Sequence, residues 1–501
     1  MDILSDIKAL AVAKGEQVQA WKEKQGVIKT DYDELIAAVS ALSVGDLDKE
    51  IIKLTSLSGA EMPDEVKESL LSAVKSTEET ISAVTSLGAK TFQDTDIVYC
   101  RTLPVSGTSL SSAFEGCHNL FFCEPLTLSG IKSVSGMFSE CACLTHAELS
   151  GMDSVTDMSN MFANCGALTT VTLSDGLSNV TTMFNSFIGC TSLQEITFPD
   201  GSLAALTSLI HAFDGCKSLT NVSFASGSLA KVTSLHDCFY GCSSLSSLTL
   251  PEGSLSAVTT MYQCFNGCSS LSSLTLPEGS LSAVTNMGQC FNNCSSLSSL
   301  TLPEGSMSAV TSMSQCFNGC SSLSSLTLPE GSMSAVTNMS QCFYGCSSLC
   351  SLTLPEGSLK ENLTAYLMLS GCSKLTKVEN FTLQGVALTA ASYTDSSAYK
   401  NAIDFRPPSS LVDFEYSGTL YRSGVTLKNC PNLTAKSLFS WAAALYDWET
   451  NSESLTTDDT EHVLYMTAAQ QATLTAYEGD GTMTGEGVYE QLITYGWELS
   501  A

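Results

Sequence analysis

The chain of 501 residues carries 51 acidic against 22 basic side chains, a formal net charge of −29 at pH 7, with 44% hydrophobic and 15% charged residues. That apolar content excludes global disorder, and the acidic balance excludes nucleic-acid backbones and anionic membrane surfaces, which call for clustered Lys and Arg. No apolar run reaches the length of a membrane span, so no membrane insertion is expected.

Residues 1–95 hold ten of the 22 basic residues and almost no Phe or Cys. Helical spacing predicts one helix from Asp2 to near Gln25, a second around Leu35, Ile36, Val39 and Leu42, and a third carrying Val66, Leu70, Val74, Ile81 and Val84. Asp64, after Pro63, is the expected cap of the third. Together they predict a helical attachment or oligomerisation domain. The start, MDILSDIKALAVAKGEQVQ, lacks the positive end and unbroken apolar run of a secretory signal. The 21 cysteines are therefore expected to be reduced, in a product made in the cytoplasm.

From about residue 96 the chain repeats itself. Cys117, Cys141, Cys165, Cys190, Cys216, Cys242, Cys268, Cys294, Cys320, Cys346 and Cys372 are spaced by 24, 24, 25 and then repeatedly 26 residues. A Phe lies three residues before each, from Phe114 to Phe343, with Leu369 in the last place, and a Leu three residues after each, from Leu120 to Leu375. Later coils add an alternating pair such as Leu248 and Leu250, which reads as a short strand with inward leucines. Pro-Glu-Gly-Ser then reads as a turn. Val258 and Met261 read as further core contacts, and Gln263 to Gly267 as one helical or 3₁₀ turn carrying Phe265 inward. One coil cannot bury such a face, but stacked coils can. The pattern F-x-x-C-x-x-L-x-x-L-x-L-P, with V-T-x-M upstream, resembles the BspA-type leucine-rich repeats of bacterial surface proteins. The resemblance spans residues 100 to 385 and implies a binding or adhesion surface.

Beyond residue 386 the repeat is lost and three of the four tryptophans appear, Trp441, Trp448 and Trp497. Leu433 to Leu445 reads as a helix capped by Thr434, HVLYMTAAQQATLTAY as a strand and a helix, and GVYEQLITYGWELSA as a helix, a turn and a closing strand. This ending resembles the C-terminal ends of tail and baseplate-associated proteins of bacteriophages. The expected fold is an α+β repeat protein: a helical domain over 1–95, a leucine-rich-repeat-like solenoid of about eleven 24–26-residue coils over 96–385, and an α+β cap over 386–501.

Chemistry is sparse in this pattern. C-x₃-C pairs such as Cys264/Cys268 invite a metal or a disulfide, but Ala113, Met137, Ala212 and Met368 occupy the first column in other coils. Core packing explains that tolerance, while disulfides between coils remain open on spacing alone. Glu252, Glu278, Glu304, Glu330 and Glu356 form a column without a nearby Lys or Arg, which reads as a solvated edge or, less well, a Ca²⁺ ladder. His118, His146, His211, His236 and His462 share no column and read as solvated side chains, although His211 and His236 stand near each other in adjacent coils. No catalytic residue, metal ligand or cofactor is expected.

Substitutions between near-identical coils single out Tyr240, Tyr262, Asn266, Asn292, Asn318 and Tyr344, expected to face solvent. They mark either a binding surface or drift after duplication. The function expected is a non-enzymatic phage virion protein, a tail fibre or receptor-binding component located in the tail. It would dock to tail or baseplate proteins through residues 1–95, form a homo-oligomer, and meet a host surface glycan or protein. The alternative is a BspA-type adhesin on the bacterial surface. A tailspike that degrades polysaccharide is a third reading, which needs a pair of carboxylates in one cleft.

Overall fold

The computed structural model describes residues 79–383 apart from 175, 305, 330–331 and 356–363, together with 72, 76–77, 410–418, 425–426, 430, 432–443, 463–478 and 498–500. The helices expected before residue 64, and most of the third, lie outside the described residues. Residues 72, 76–77 and 79–82 are helical, with the Thr80 hydroxyl donating to the Ser76 carbonyl at 2.9 Å. The chain forms two compact units, one of residues 1–177 and 186–196, the other of residues 178–185 and 197–501.

In the first unit the coil geometry already holds at Leu87, which bridges in parallel to Val105. Tyr99–Cys100 pairs with Phe122–Cys123, and Leu126–Thr127, His146–Ser150 and Thr170–Leu173 form a parallel sheet. Phe92, Phe114, Phe138, Phe162 and Phe187 stack ring on ring, with centroids 5.0–5.5 Å apart. Phe92 therefore heads the aromatic column inside the segment expected to be wholly helical.

In the second unit the same ladder runs from Phe213 through Phe239, Phe265, Phe291 and Phe317 to Phe343, at 5.3–5.6 Å with nearly parallel rings. Strands are short because each coil spends only a few residues on an extended edge: Ser273–Thr275 pairs with Ser299–Thr301, and Thr301, Thr327 and Thr353 continue as bridges. Leu274, Leu276, Leu300 and Leu302 face inward as the alternation predicts. At a second edge Thr182, Ser208, Ser234, Thr260, Asn286, Ser312, Asn338 and Thr364 are bridged one to the next.

The segment read as a helical turn is built otherwise. Met261, Gln263, Phe265 and Gly267 donate their N–H groups to Asn286, Gly288, Cys290 and Asn292 of the next coil at 2.8–3.0 Å. Cys264, Asn266 and Cys268 turn back onto Met261, Gln263 and Phe265 at 3.1 Å. The corner is thus a chain of tight turns in which alternate peptides bind the neighbouring coil. Turns Met261–Cys264 and Phe265–Cys268 each place a left-handed residue third, Gln263 (φ 54°) and Gly267 (φ 78°). The i, i+3 spacing of inward residues imitates a helix, but half of its backbone donors are committed laterally. The α+β description is corrected accordingly: the described repeat residues are turns, bridges and short strands.

The cysteine column also has a definite role. Each thiol donates to the Phe carbonyl of the preceding coil, Cys268 to Phe239, Cys294 to Phe265, Cys320 to Phe291 and Cys346 to Phe317, all at 3.1 Å. That carbonyl also accepts the N–H of its own coil's Cys, so both lone pairs are used. Among the described residues no cysteine forms a disulfide. Burial pushes the Cys320 and Cys372 thiols up to about 12.

Beyond the expected end of the repeat, the second unit keeps its lateral hydrogen bonds. Thr376 donates to Cys350 (3.0 Å), Val412 to Thr376 (3.0 Å) and Thr434 to Val412 (2.9 Å). Ser351–Thr353, Lys377–Leu383 and Asp413–Gly418 form a parallel sheet. Cys430 and Leu433, both buried, restore the C-x-x-L spacing. The repeat therefore does not stop at 386. Helix α1 (Ala435–Ala443) follows with the Thr434 hydroxyl accepting from the Ser437 N–H at 3.1 Å, as expected of a cap. Helix α2 (Ala468–Thr475) opens with a capping box of Thr467 and Gln470. Val425–Thr426, Val463–Tyr465 and Glu498–Ser500 form a second parallel sheet.

Three outcomes follow. Phe291→Ala, which empties a fully buried rung, should cost about 3–5 kcal/mol in denaturant unfolding, and a loss near zero would place the Phe column outside the core. Native protein should be alkylated at the exposed Cys350 and the half-buried Cys143, the buried column reacting only after denaturation and without prior reduction. Because burial raises the folded thiol values, their contribution is intact below the unfolded thiol value of about 8.5 and is lost as pH climbs from there toward the folded values. Chemical denaturation between pH 7 and 10 should therefore show stability falling only above about pH 8.5.

Candidate functional site

The left-handed position that holds Gln263 recurs one coil apart as His211, Asp237, Gln263, Gln289, Gln315 and Gln341, each with φ between 52° and 55°. A left-handed backbone without glycine is tolerated best by polar side chains, and here the polar groups serve each other. Gln263 Nε2 donates to Gln289 Oε1 (2.9 Å) and Gln315 Nε2 to Gln341 Oε1 (2.7 Å). Gln289 Nε2 also donates to the Tyr262 hydroxyl (3.2 Å), and Gln289 Oε1 accepts from Asn266 Nδ2 (3.4 Å).

Where this column changes from amide to ionisable residues, four polar groups converge. His211 Nδ1 lies 2.9 Å from Asp214 Oδ2, and its Nε2 faces Asp237 Oδ2 at 3.6 Å. His236 Nδ1 approaches the same Asp237 oxygen at 2.8 Å, yet without the alignment of a hydrogen bond, and Asp237 Oδ1 has no partner at all. Asp237 is 6% exposed. The imidazoles are partly exposed and packed in a row: Phe184 meets His211 edge-on at 6.3 Å, His211 meets His236 at 5.5 Å, and His236 meets Tyr262 at 5.1 Å. Burial lifts the Asp214 carboxyl above its ordinary value, with His211 pulling the other way. Among the described residues, His211, His236 and Asp237 are the one set whose ligand atoms come within metal-binding reach, all within 4.8 Å of one another.

This corrects the reading of the two histidines as separate solvated side chains. The signal was in the columns: His211 occupies the place of Asp237 one coil earlier, and Asp214 follows it at the i+3 position. The residues singled out by substitution fare unevenly. Tyr240 and Tyr344 are each 40% exposed. Tyr262, Asn292 and Asn318 are half-buried. Asn266 is buried, corrected from a solvent-facing expectation, because its amide is spent on Gln289. Glu252, Glu278 and Glu304 stand exposed at the turn edge, while Glu330 and Glu356 lie outside the described residues.

With this geometry in place, the chain can be compared with known proteins. Residues 185–305 and 261–399 match the BspA type leucine rich repeat region, in six copies. Over residues 185–399 the coils are thus similar to leucine-rich repeats. Residues 108–221 match a family described as a Mycoplasma protein of unknown function. No curated protein matches the chain. Similar solved structures include a leucine-rich repeat protein from Bacteroides ovatus, 20% identical, covering 70% of this chain and 81% of that one with a TM-score of 0.37. Another is a leucine rich cell surface protein from Faecalibacterium prausnitzii, 20% identical, covering 64% of this chain and 86% of that one with a TM-score of 0.35. The tail-protein resemblance of the C-terminal end finds no support in these matches.

Proposed function

We propose that this chain is a non-enzymatic recognition protein of the bacterial surface, an adhesin that presents its coil corners to a glycan or protein on a neighbouring cell. The observation that carries the reading is the BspA-type repeat over residues 185–399, a repeat class associated with adhesion surfaces. It favours the bacterial surface over the virion location. Each corner is held by backbone hydrogen bonds to the next coil, so side chains displayed there lose little entropy on binding. Tyr240 and Tyr344 offer broad amphipathic contact area at that corner, and the exposed Asn293 and half-buried Asn318 beside the amide ladder supply hydrogen-bonding groups. Residues 1–95 would serve attachment, with several copies displayed together so that weak contacts add.

Antibody labelling of intact cells, set beside purified phage particles from the same culture, separates the two locations; label on cells and none in particles is expected, and the reverse would sink the adhesin reading. Labelled protein should bind target cells, and Tyr240→Ala combined with Tyr344→Ala should weaken that binding about tenfold or more. Both side chains are exposed, so unfolding should shift by no more than about 0.5 kcal/mol per site. Unchanged binding would move the contact surface elsewhere.

A further inference from the structure

We propose that His211, His236 and Asp237 form a binding site for a divalent transition cation of the zinc type, with Asp214 orienting His211 from outside. The site does not depend on the adhesion reading. Three observations carry it.

The first is donor geometry. Three ligands on one tetrahedral Zn²⁺ at about 2.0–2.1 Å lie about 3.3 Å from one another. Asp237 Oδ2 is 3.6 Å from His211 Nε2 and 2.8 Å from His236 Nδ1, values on either side of that spacing.

The second is the unspent polar capacity at the centre. Asp237 is more than nine-tenths buried, its Oδ1 has no hydrogen-bond partner, and neither has His236 Nδ1. Buried polar atoms are ordinarily satisfied, and a cation among these atoms satisfies them together.

The third is the outer carboxylate. His211 Nδ1–H donates to Asp214 Oδ2 at 2.9 Å, which leaves the Nε2 lone pair directed toward Asp237. A carboxylate that fixes the tautomer of a ligating imidazole is the usual support of a metal-bound histidine.

Charge agrees with this arrangement. Two carboxylates and two neutral imidazoles carry a formal charge that one divalent cation cancels. Imidazole and carboxylate donors suit Zn²⁺, and three protein ligands leave a fourth position for water or a group of a bound partner. The partial exposure of both imidazoles sets that position toward solvent.

The test uses the full chain, stripped with a chelator and titrated calorimetrically with Zn²⁺. One ion per chain is expected. His236→Tyr and Asp237→Gln copy the residues that the next coil carries in the same columns, Tyr262 and Gln263, and His211→Gln copies Gln263 two coils on, so the fold is kept; each should weaken binding at least tenfold. Asp214→Asn should weaken it about 10–100-fold. Co²⁺ serves as an optical probe on unaltered protein: visible d–d bands without near-ultraviolet thiolate charge transfer are expected, which separates this site from the cysteines even where a variant misfolds. Thiolate charge transfer, absence of saturable binding, or undiminished binding by a His211→Gln/His236→Tyr double variant would overturn the site.

Discussion

The hydrogen bonds that each coil makes with the coil beside it govern everything else in the repeat. Alternate peptides at the corner donate sideways, as Met261, Gln263, Phe265 and Gly267 do, with partners 25 residues away. That register sets each residue beside its counterpart in the next coil. A column survives only if its side chain packs favourably against a copy of itself. Phenylalanines satisfy this by stacking at about one strand spacing with a small offset. Threonines satisfy it through hydroxyl-to-carbonyl bonds between coils, as Thr285 does with Thr259 and Thr311 with Thr285. Glutamines satisfy it by amide pairing. Charged side chains cannot stack on themselves inside, which accounts for a low charged fraction and for the exposed turn-edge place of Glu252, Glu278 and Glu304.

The same rule explains the cysteines better than redox chemistry does. The Phe carbonyl at the corner points between coils and has a second lone pair to satisfy. The side chain that reaches it must be small, tolerant of a core, and able to donate weakly; a thiol meets all three demands. Where the neighbouring column holds Ser186 instead of Cys, Ala or Met, its hydroxyl finds the Met158 carbonyl at 2.8 Å, another bond between coils. With the thiols so committed and their ionisation opposed by burial, the column behaves as packing material that also closes the hydrogen-bond account of the corner.

Column identity is what a sequence exposes most directly, and the inward Phe, Cys, Leu, Val and Met positions could all be read from it. The nature of the corner could not, because inward residues three apart occur both in a helical turn and in a run of tight turns with lateral donors. Only the left-handed backbone at Gln263 and Gly267 separates them, and Gln gives no warning of it. The reach of the stack was also hidden. Phe92 precedes the cysteine column, and Cys430 and Leu433 follow a gap far longer than one coil. Substitution between near-identical coils pointed to solvent rightly at Tyr240 and Tyr344 and wrongly at Asn266, since a changed residue can be matched to a neighbouring side chain just as well as to water. The histidine cluster was easy to miss for a related reason: His211 and His236 stand in different columns, and the signal lay in His211 sharing the column of Asp237.

That cluster is also where the rule of like upon like is broken. Through Gln263 to Gln341 the left-handed column repeats one amide, paired as Gln263 with Gln289 and Gln315 with Gln341. At His211 and Asp237 the rungs differ, and neither residue satisfies the other fully: Asp237 Oδ1 is buried without a hydrogen bond, and the His236 Nδ1 beside Oδ2 is misaligned for one. In a ladder built from duplicated coils, restoring Gln at both places would complete the amide pairing with no residual buried charge. Retaining two imidazoles around a buried carboxylate instead costs desolvation of the acid, a cost that the rest of the column avoids. The partial exposure of the imidazoles and the row of Phe184, His211, His236 and Tyr262 make this a described stretch of corner where ionisable polar groups reach solvent. A scaffold whose other columns are closed upon themselves thus offers its distinctive chemistry at the point where the repetition fails.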